Sequence, residues 1–326
     1  MDQLQKFLFD SLPVRGMLVR LEGSWRDLLA RRTSASDGGH AFAPPLRALL
    51  GEMTAASLLM QGNLKFNGAL ILQMQGDGPV KLAVAEALPD LSFRATAKVV
   101  GDLADHARFD AMLNLHGQGR CAITLDPQDR LPGQQPYQGV VPLVGEQGQP
   151  LHKLSEVLEH YMLQSEQLDT RLVLAANDEV AAGLLIQRMP MAGGANLDGG
   201  LRISHDEDQV GRNEDFNRIA TLAATLTAEE LLSLPPEQVM HRLFWQETLR
   251  VFEAQTPNFA CRCSRERVAG MLRGLGAVEV NALIAERGEA EVGCDFCGAM
   301  YRFDPVDVGG LFTPGHVAPP SSGALQ

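Results

Sequence analysis

The sequence predicts an α+β protein: an N-terminal domain of mixed sheet and helix, a helical linker and a small C-terminal zinc-binding domain. Three observations predict it. Strand-like runs and helical patterns fall in separate blocks rather than in strict alternation, which favours α+β over α/β. After Met189 the composition shifts to a stretch rich in Gly, Asn and Asp. Four of the five cysteines crowd between positions 261 and 297. The limits that follow are 1–190 for the first domain, 191–258 for an acidic loop and metastable helical linker, 259–312 for the cysteine domain and 313–326 for a disordered tail.

Each element has a local reason. Leu46, Leu49, Leu50, Met53 and Leu58 recur at helical spacing with few charges, predicting a buried helix over 46–59. The runs 69–75 and 80–84 flank Gly76-Asp77-Gly78-Pro79 and predict a β-hairpin. Phe93 to Val100, Cys121 to Leu125 and Tyr137 to Leu143 are further strands. Leu154, Val157, Leu158, Tyr161 and Met162 make one stripe of a helix over 152–164, and Arg171 to Ala176 and Ala182 to Met189 add two strands. The polar, acidic stretch from Pro190 to Asp215 cannot bury enough apolar surface to offset chain entropy, so it reads as a loop. Thr227-Ala228-Glu229-Glu230 is a capping box opening a short helix. Pro235-Pro236 ends it and starts another, with Val239, Met240, Leu243 and Phe244 on one face. These short helices show no large core of their own and read as a weak connector.

In the C-terminal domain Ser264 caps a helix with Val268, Met271, Leu272 and Leu275 on its apolar side, and Gly276 stops it. A second helix over about 279–286 ends at Gly288. Ala290 to Cys294 and Ala299 to Phe303 then pair as a hairpin across Asp295-Phe296.

Composition excludes several function classes. The net charge is -12. An acidic chain is poorly suited to nucleic acid or an anionic membrane, since both reward a basic face. The start Met1-Asp2-Gln3-Leu4-Gln5-Lys6 has no basic and apolar leader, and no long uncharged span follows, so cytoplasmic residence is expected. Gly117-Gln118-Gly119 precedes a strand rather than a helix, against a dinucleotide loop, and Gly76 to Pro79 lacks the Lys of a phosphate loop. The histidines, His241 among them, form no metalloprotease pattern, and no nucleophile elbow appears. No enzyme is expected. Cys121, in an apolar run, reads as a buried structural thiol.

The chemistry lies in Cys261-X-Cys263 and Cys294-X-X-Cys297. Zinc favours four thiolates delivered as two pairs on tight turns. Gly293 and Gly298 bracket the second pair and let the backbone turn and aim N–H groups at sulfur. Few residues surround these ligands, a setting in which a metal substitutes for core. From spacing alone an inert structural staple is the stronger reading, since most four-cysteine zinc sites are structural. The single residue inside the first pair is unusually tight, and Arg262, Arg265 and Arg267 lie where they can stabilise thiolates and raise their reactivity.

The run Cys261-Arg262-Cys263-Ser264-Arg265-Glu266-Arg267 with Cys294-Asp295-Phe296-Cys297-Gly298 resembles the redox-switch domain of the 33-kDa heat-shock protein family, the redox-regulated holdase chaperones. The resemblance spans nearly the whole chain: Val14-Arg15-Gly16, Gln61-Gly62-Asn63-Leu64-Lys65-Phe66, Leu72 to Pro79, Tyr137-Gln138-Gly139-Val140-Val141 and Ser165-Glu166-Gln167 match its N-terminal domain. The departures are the long acidic loop over 193–215, an insert near 127–136 and the Pro- and Gly-rich tail. The resemblance implies an N-terminal chaperone domain and a C-terminal redox switch in which Cys261, Cys263, Cys294 and Cys297 hold one Zn²⁺ per chain when reduced. It implies Cys261–Cys263 and Cys294–Cys297 disulfides when oxidised, with zinc released and the linker destabilised. It further implies an ATP-independent holdase for unfolding client proteins, dimeric when oxidised. Two other readings stand beside it: a constitutive zinc-ribbon binding module, and a thiol–disulfide oxidoreductase using Cys294 and Cys297, which needs a thioredoxin-like context that the sequence lacks.

Overall fold

In the computed structural model, which describes residues 1–33, 42–130, 133–189, 211 and 213–313, the chain opens with a hairpin that the apolar pattern does not announce. It pairs β1 (Gln3–Phe9) with β2 (Val14–Leu21), and α1 (Gly23–Thr33) follows. Gln5 is buried beside Leu4, and Arg15 and Arg20 interrupt β2, which blurs the period of two expected of a strand.

The buried helix expected over 46–59 is α2 (Pro44–Asn63), with proline in its first turn, where a missing N–H costs nothing. It buries residues on every side from Leu46 to Gln61, as a helix at the centre of a domain must. At Gly51 an added Cβ would lie 2.4 Å from the side chain of Ala176, so glycine sets how closely this helix approaches the strand beneath.

The expected hairpin is β3 (Gly68–Gln75) with β4 (Val80–Ala87), and β5 (Ser92–Val99) extends it. Its turn is fixed by Asp77, whose carboxylate accepts from the backbone N–H groups of His116 and Gln118 at 3.0 and 2.8 Å. Then come α3 (Phe109–Leu113), β6 (Arg120–Pro127), β7 (Tyr137–Pro142), α4 (Leu154–Glu166), β8 (Thr170–Ala176) and β9 (Ala181–Arg188). All but α3 match a predicted element. Most of the expected acidic loop lies outside the described residues. Its last residues are helical: Asn213 accepts from the Phe216 N–H at 2.8 Å and caps α5 (Glu214–Ala224).

The capping box is present at Thr227 and Glu230, opening α6 (Ala228–Ser233), and α7 (Pro236–Phe244) starts at the predicted proline. The reading of these helices as lacking a large core is corrected. Phe216, Ile219, Leu231, Val239, Leu243 and Phe244 are buried against Phe7, Phe9, Val14, Leu18, Leu184 and Ile186. The ring of Phe244 lies 5.1 Å from that of Phe9, edge to face. The cause is β9, buried at every position because α2 covers one face and these helices the other. A partner surface on distant strands cannot be seen from the helices alone.

After α7 the chain adds β10 (Leu249–Val251) to the edge of β1, antiparallel, and β11 (Asn258–Phe259) to the edge of β5, parallel. The larger compact unit, residues 1–30 and 42–260, thus holds a five-stranded sheet ordered β10-β1-β2-β9-β8 and a six-stranded sheet ordered β11-β5-β4-β3-β6-β7. α2 packs on both.

A second compact unit begins at Cys261. It contains α8 (Arg265–Leu275), α9 (Ala277–Arg287), the hairpin β12 (Ala290–Gly293) with β13 (Met300–Phe303), and α10 (Pro305–Phe312). Ser264 caps α8 through the Arg267 N–H, and Gly276 and Gly288 sit at the predicted helix ends. α10, unforeseen, opens with a capping box of Asp304 and Asp307. Its fully buried apolar residues are Ala269, Leu272, Val280, Ala290, Phe303 and Val308. Met271 and Leu275, expected inside, are 48% and 53% exposed, because α9 and α10 cover only part of the α8 stripe. The expected tail disorder falls on residues outside those described. No single described helix is long and apolar enough to cross a membrane.

Two consequences are testable. Phe244→Ala removes the ring wedged against Phe9 and should cost about 3–5 kcal/mol in denaturant unfolding of the larger unit; a loss below about 1 kcal/mol would detach α7 from the core. Glu52, on α2 beside Lys153, has its carboxyl pushed by burial up to about 7 from 4.5, the nearby ammonium only partly opposing. The folded state therefore holds a proton that the unfolded state releases. Stability should fall as pH rises from about 4.5 to about 7, and Glu52→Gln should flatten that slope in a pH series of melting midpoints.

Candidate metal centre

Two short segments supply the four sulfurs. Cys261 follows directly on Ala260, whose N–H bonds the Phe93 carbonyl at the end of β11, and Cys263 precedes the cap of α8. Cys294 and Cys297 occupy the loop of the β12–β13 hairpin. There the Cys294 N–H donates to the Ala299 carbonyl at 2.9 Å and the Gly298 N–H to the Cys294 carbonyl at 2.8 Å. Gly298 has φ +70, a left-handed conformation that closes this turn and suits glycine. Gly293 ends β12 with ordinary strand pairing, so only one of the two bracketing glycines turns the chain.

The fold brings all four predicted cysteines together. Their Sγ atoms lie within 4.8 Å of one another, Cys261 to Cys294 at 3.6 Å and Cys263 to Cys297 at 3.3 Å. A tetrahedron of sulfurs about 2.3 Å from a central ion has edges of about 3.8 Å, whereas a disulfide bond is about 2.05 Å. All four are free thiols. The spacing and the soft donor set therefore suit a thiophilic ion such as zinc.

Hydrogen bonding supports the sulfurs unequally. Burial pushes the Cys261 thiol up, while the N–H of Cys263 bonds its sulfur and partly opposes this. Burial likewise raises Cys297, with the Ala299 N–H opposing. At Cys263 burial also acts against ionisation, but the Tyr301 hydroxyl and then the neighbouring thiols hydrogen-bond to it and bring it below the ordinary thiol range. The N–H groups aimed at sulfur thus belong to Cys263 and Ala299. Tyr301 is a supporting residue that the sequence reading missed. Its only signal is its place across β12 from Val292, near Cys297, and that pairing shows only once the hairpin register is known.

Two of the three arginines, Arg265 and Arg267, are engaged elsewhere. Arg265 bonds Asp307 at 2.6 Å and the Arg302 carbonyl at 2.7 Å, and stacks 4.3 Å above the Phe303 ring. Arg267 donates to the Arg262 carbonyl at 2.8 Å. Both brace the fold around the sulfurs through these bonds to the Asp307 carboxylate and to backbone carbonyls. Cys121, on β6 in the larger unit, is fully buried, and burial pushes its thiol up to about 12, an inert structural thiol as expected.

The chain is similar to known proteins over almost all its length. It is 47% identical over 311 residues to the 33 kDa chaperonin of Chromobacterium violaceum, covering 95% of this chain and 94% of that protein. It is 43% identical over 319 residues to the 33 kDa chaperonin of Methylobacillus flagellatus, covering 98% and 97%. Among solved structures, that of the 33 kDa chaperonin (heat shock protein 33 homolog) of Thermotoga maritima matches with a TM-score of 0.71, covering 95% of this chain and 97% of that one. At 20% identity that likeness speaks for the fold. A family model described as Hsp33 protein matches residues 2–304. On this match and these relatives, the chain belongs to the Hsp33 protein family.

Proposed function

We propose that the protein is a redox-regulated, ATP-independent holdase chaperone, switched by one Zn²⁺ held between Cys261, Cys263, Cys294 and Cys297 when reduced. The observation that carries this reading is the convergence of four free sulfurs within 4.8 Å in a unit with very few fully buried apolar side chains. Zinc, when bound, supplies a tetrahedral cross-link with an apparent energy of about 10–16 kcal/mol, which serves as folding energy for such a unit.

The protein's own residues then act as follows. The Tyr301 hydroxyl and the Cys263 and Ala299 N–H groups hold the sulfurs in their reduced arrangement. Under peroxide, a thiolate attacks one oxygen and forms a sulfenic acid. The second cysteine of its pair displaces water and closes the disulfide. Each of the bonds Cys261–Cys263 and Cys294–Cys297 gives up two electrons and reduces one peroxide to two waters. In the reduced arrangement all four sulfurs lie within 4.8 Å of one another, so each cysteine already has its pair partner near. Both disulfides are local and close almost no loop, so they return little of the stability that the ligands provided.

Loss of the ligand set unfolds the small unit and releases the helical linker beside it, exposing apolar surface to unfolding client proteins. The oxidised form works as a homodimer in the cytoplasm, with no nucleic acid or membrane partner and no catalytic turnover.

Peroxide at mild heat tests the switch. Zinc release, read with a chromogenic chelator, should rise together with suppression of aggregation of a thermally unfolding client. Retained zinc, or equal protection before and after oxidation, would overturn it and favour a constitutive zinc-ribbon module. Cys294→Ser should weaken zinc affinity by more than about 100-fold, beyond the loss typical of a supporting residue. Unchanged affinity in a competition titration would remove Cys294 from the ligand set.

A further inference from the structure

Four of the stretches that carry the family resemblance in the larger unit take no part in cysteine chemistry: Val14-Arg15-Gly16, Gln61 to Phe66, Tyr137 to Val141 and Ser165-Glu166-Gln167. Distant in sequence, they meet in space. Arg15 of β2, Asn63 at the end of α2, Tyr137 of β7 and Glu166 at the end of α4 all line one pocket of about 110 Å³. The rest of its wall is chiefly apolar, with Met60, Leu64, Leu70, Ile123 and Leu125 among its residues.

Most of the polar groups here are satisfied. Gln187, buried on β9, accepts from Arg15 Nη2 at 2.5 Å and from Asn63 Nδ2 at 2.7 Å, and donates to Thr170 Oγ1 at 2.9 Å. Glu166 Oε1 accepts from the hydroxyls of Tyr161 and Tyr137 at 3.2 and 3.3 Å.

Arg15 is the exception. Its Nε is buried without a hydrogen-bond partner, and among the described residues the guanidinium makes no ion pair. Burial lowers its pKa and no carboxylate lies near enough to compensate. Lys6, across the hairpin, is lowered by burial and then by repulsion from Arg15. Arg15 therefore lines a partly enclosed pocket whose one carboxylate, Glu166, is engaged by the two tyrosine hydroxyls and does not compensate it. Buried charge is costly unless paired and hydrogen-bonded, and a guanidinium with free donors is shaped for a carboxylate.

We propose that this pocket binds a short hydrophobic monocarboxylate, its carboxylate on Arg15 and its aliphatic body against the Leu, Ile and Met side chains. A cavity of 150 Å³ accommodates the six carbons of benzene, so this smaller one suits an aliphatic body of about three to five carbons beside the carboxylate. Glu166 in the same wall repels a second negative charge and selects against dicarboxylates. The site lies wholly within the larger unit and stands whether or not the cysteine switch does.

The test titrates 4-methylpentanoate into the full-length reduced protein and follows Leu, Ile and Met methyl resonances. Saturable shifts at Met60, Leu64, Ile123 and Leu125 are expected, with the neutral 4-methylpentanamide binding at least about ten-fold more weakly. Arg15→Gln should bring the acid down to the affinity of the amide and leave the amide unchanged, its melting midpoint confirming the fold. Competition by acetyl-alanyl-leucine would identify the carboxylate with that of a chain terminus; failure to compete would identify it with a free acid. Absence of saturable shifts at these methyls, or equal affinity of acid and amide for the unaltered protein, overturns the proposal without recourse to any variant.

Discussion

The smaller unit depends on the mutual approach of four sulfurs. Among the described residues, two short helices, a four-residue-per-strand hairpin and α10 bury only Ala269, Leu272, Val280, Ala290, Phe303 and Val308. Fully burying a Leu, Val or Phe contributes about 1.5–3 kcal/mol, while ordering each backbone residue costs about 1–2 kcal/mol. A core this small cannot carry a unit this long. The segment leading into α8 and the hairpin loop instead converge at Cys261, Cys263, Cys294 and Cys297, where an ion would cross-link chain segments that otherwise share little apolar surface. The Arg265 bridge to Asp307 and its stacking on Phe303 add a brace, but both side chains of that ion pair are about 40% exposed. Such a pair contributes little in water.

The larger unit follows the opposite logic. α2 fills the space between two sheets, and α5, α6 and α7 cover the far face of the five-stranded one. The same sheet thus serves two cores, and β9 is buried throughout because it faces both. β10 and β11 close the edges of the two sheets immediately before Cys261. The helices α5, α6 and α7 are therefore stabilised by specific packing at Phe244 and neighbouring residues.

What could be read from the sequence is what is encoded locally. The capping box at Thr227 and Glu230, the cap at Ser264, the stop glycines at 276 and 288, and the hairpin around Gly76 to Pro79 each depend on neighbours a few residues away. The four sulfurs were legible because paired cysteines leave few other chemical uses. The rest depends on distant partners. An apolar stripe on α8 or α7 states that a face exists without saying what covers it. Met271 and Leu275 were accordingly placed inside, and the α6 and α7 helices were given no large core of their own. Tyr301 reaches Cys263 through strand register, and Arg265 turns to Asp307 on a helix that the pattern did not announce. None of these has a signature in spacing.

This contrast bears on why oxidation would act selectively under the proposed reading. A domain is stable by about 5–15 kcal/mol in total, and the metal in a small thiolate site supplies about 10–16 kcal/mol. Loss of that one contribution equals or exceeds the whole margin of the unit built on it. The larger unit holds no thiol on which it depends in the same way: Cys121 is buried on β6 with its thiol pushed up to about 12, so it is neither exposed nor ionised under conditions where the cluster reacts. Oxidant can therefore remove the cohesion of one unit while leaving the core around α2 of the other intact. A chaperone surface that must remain folded while its switch unfolds needs this division of stabilising forces between core and metal.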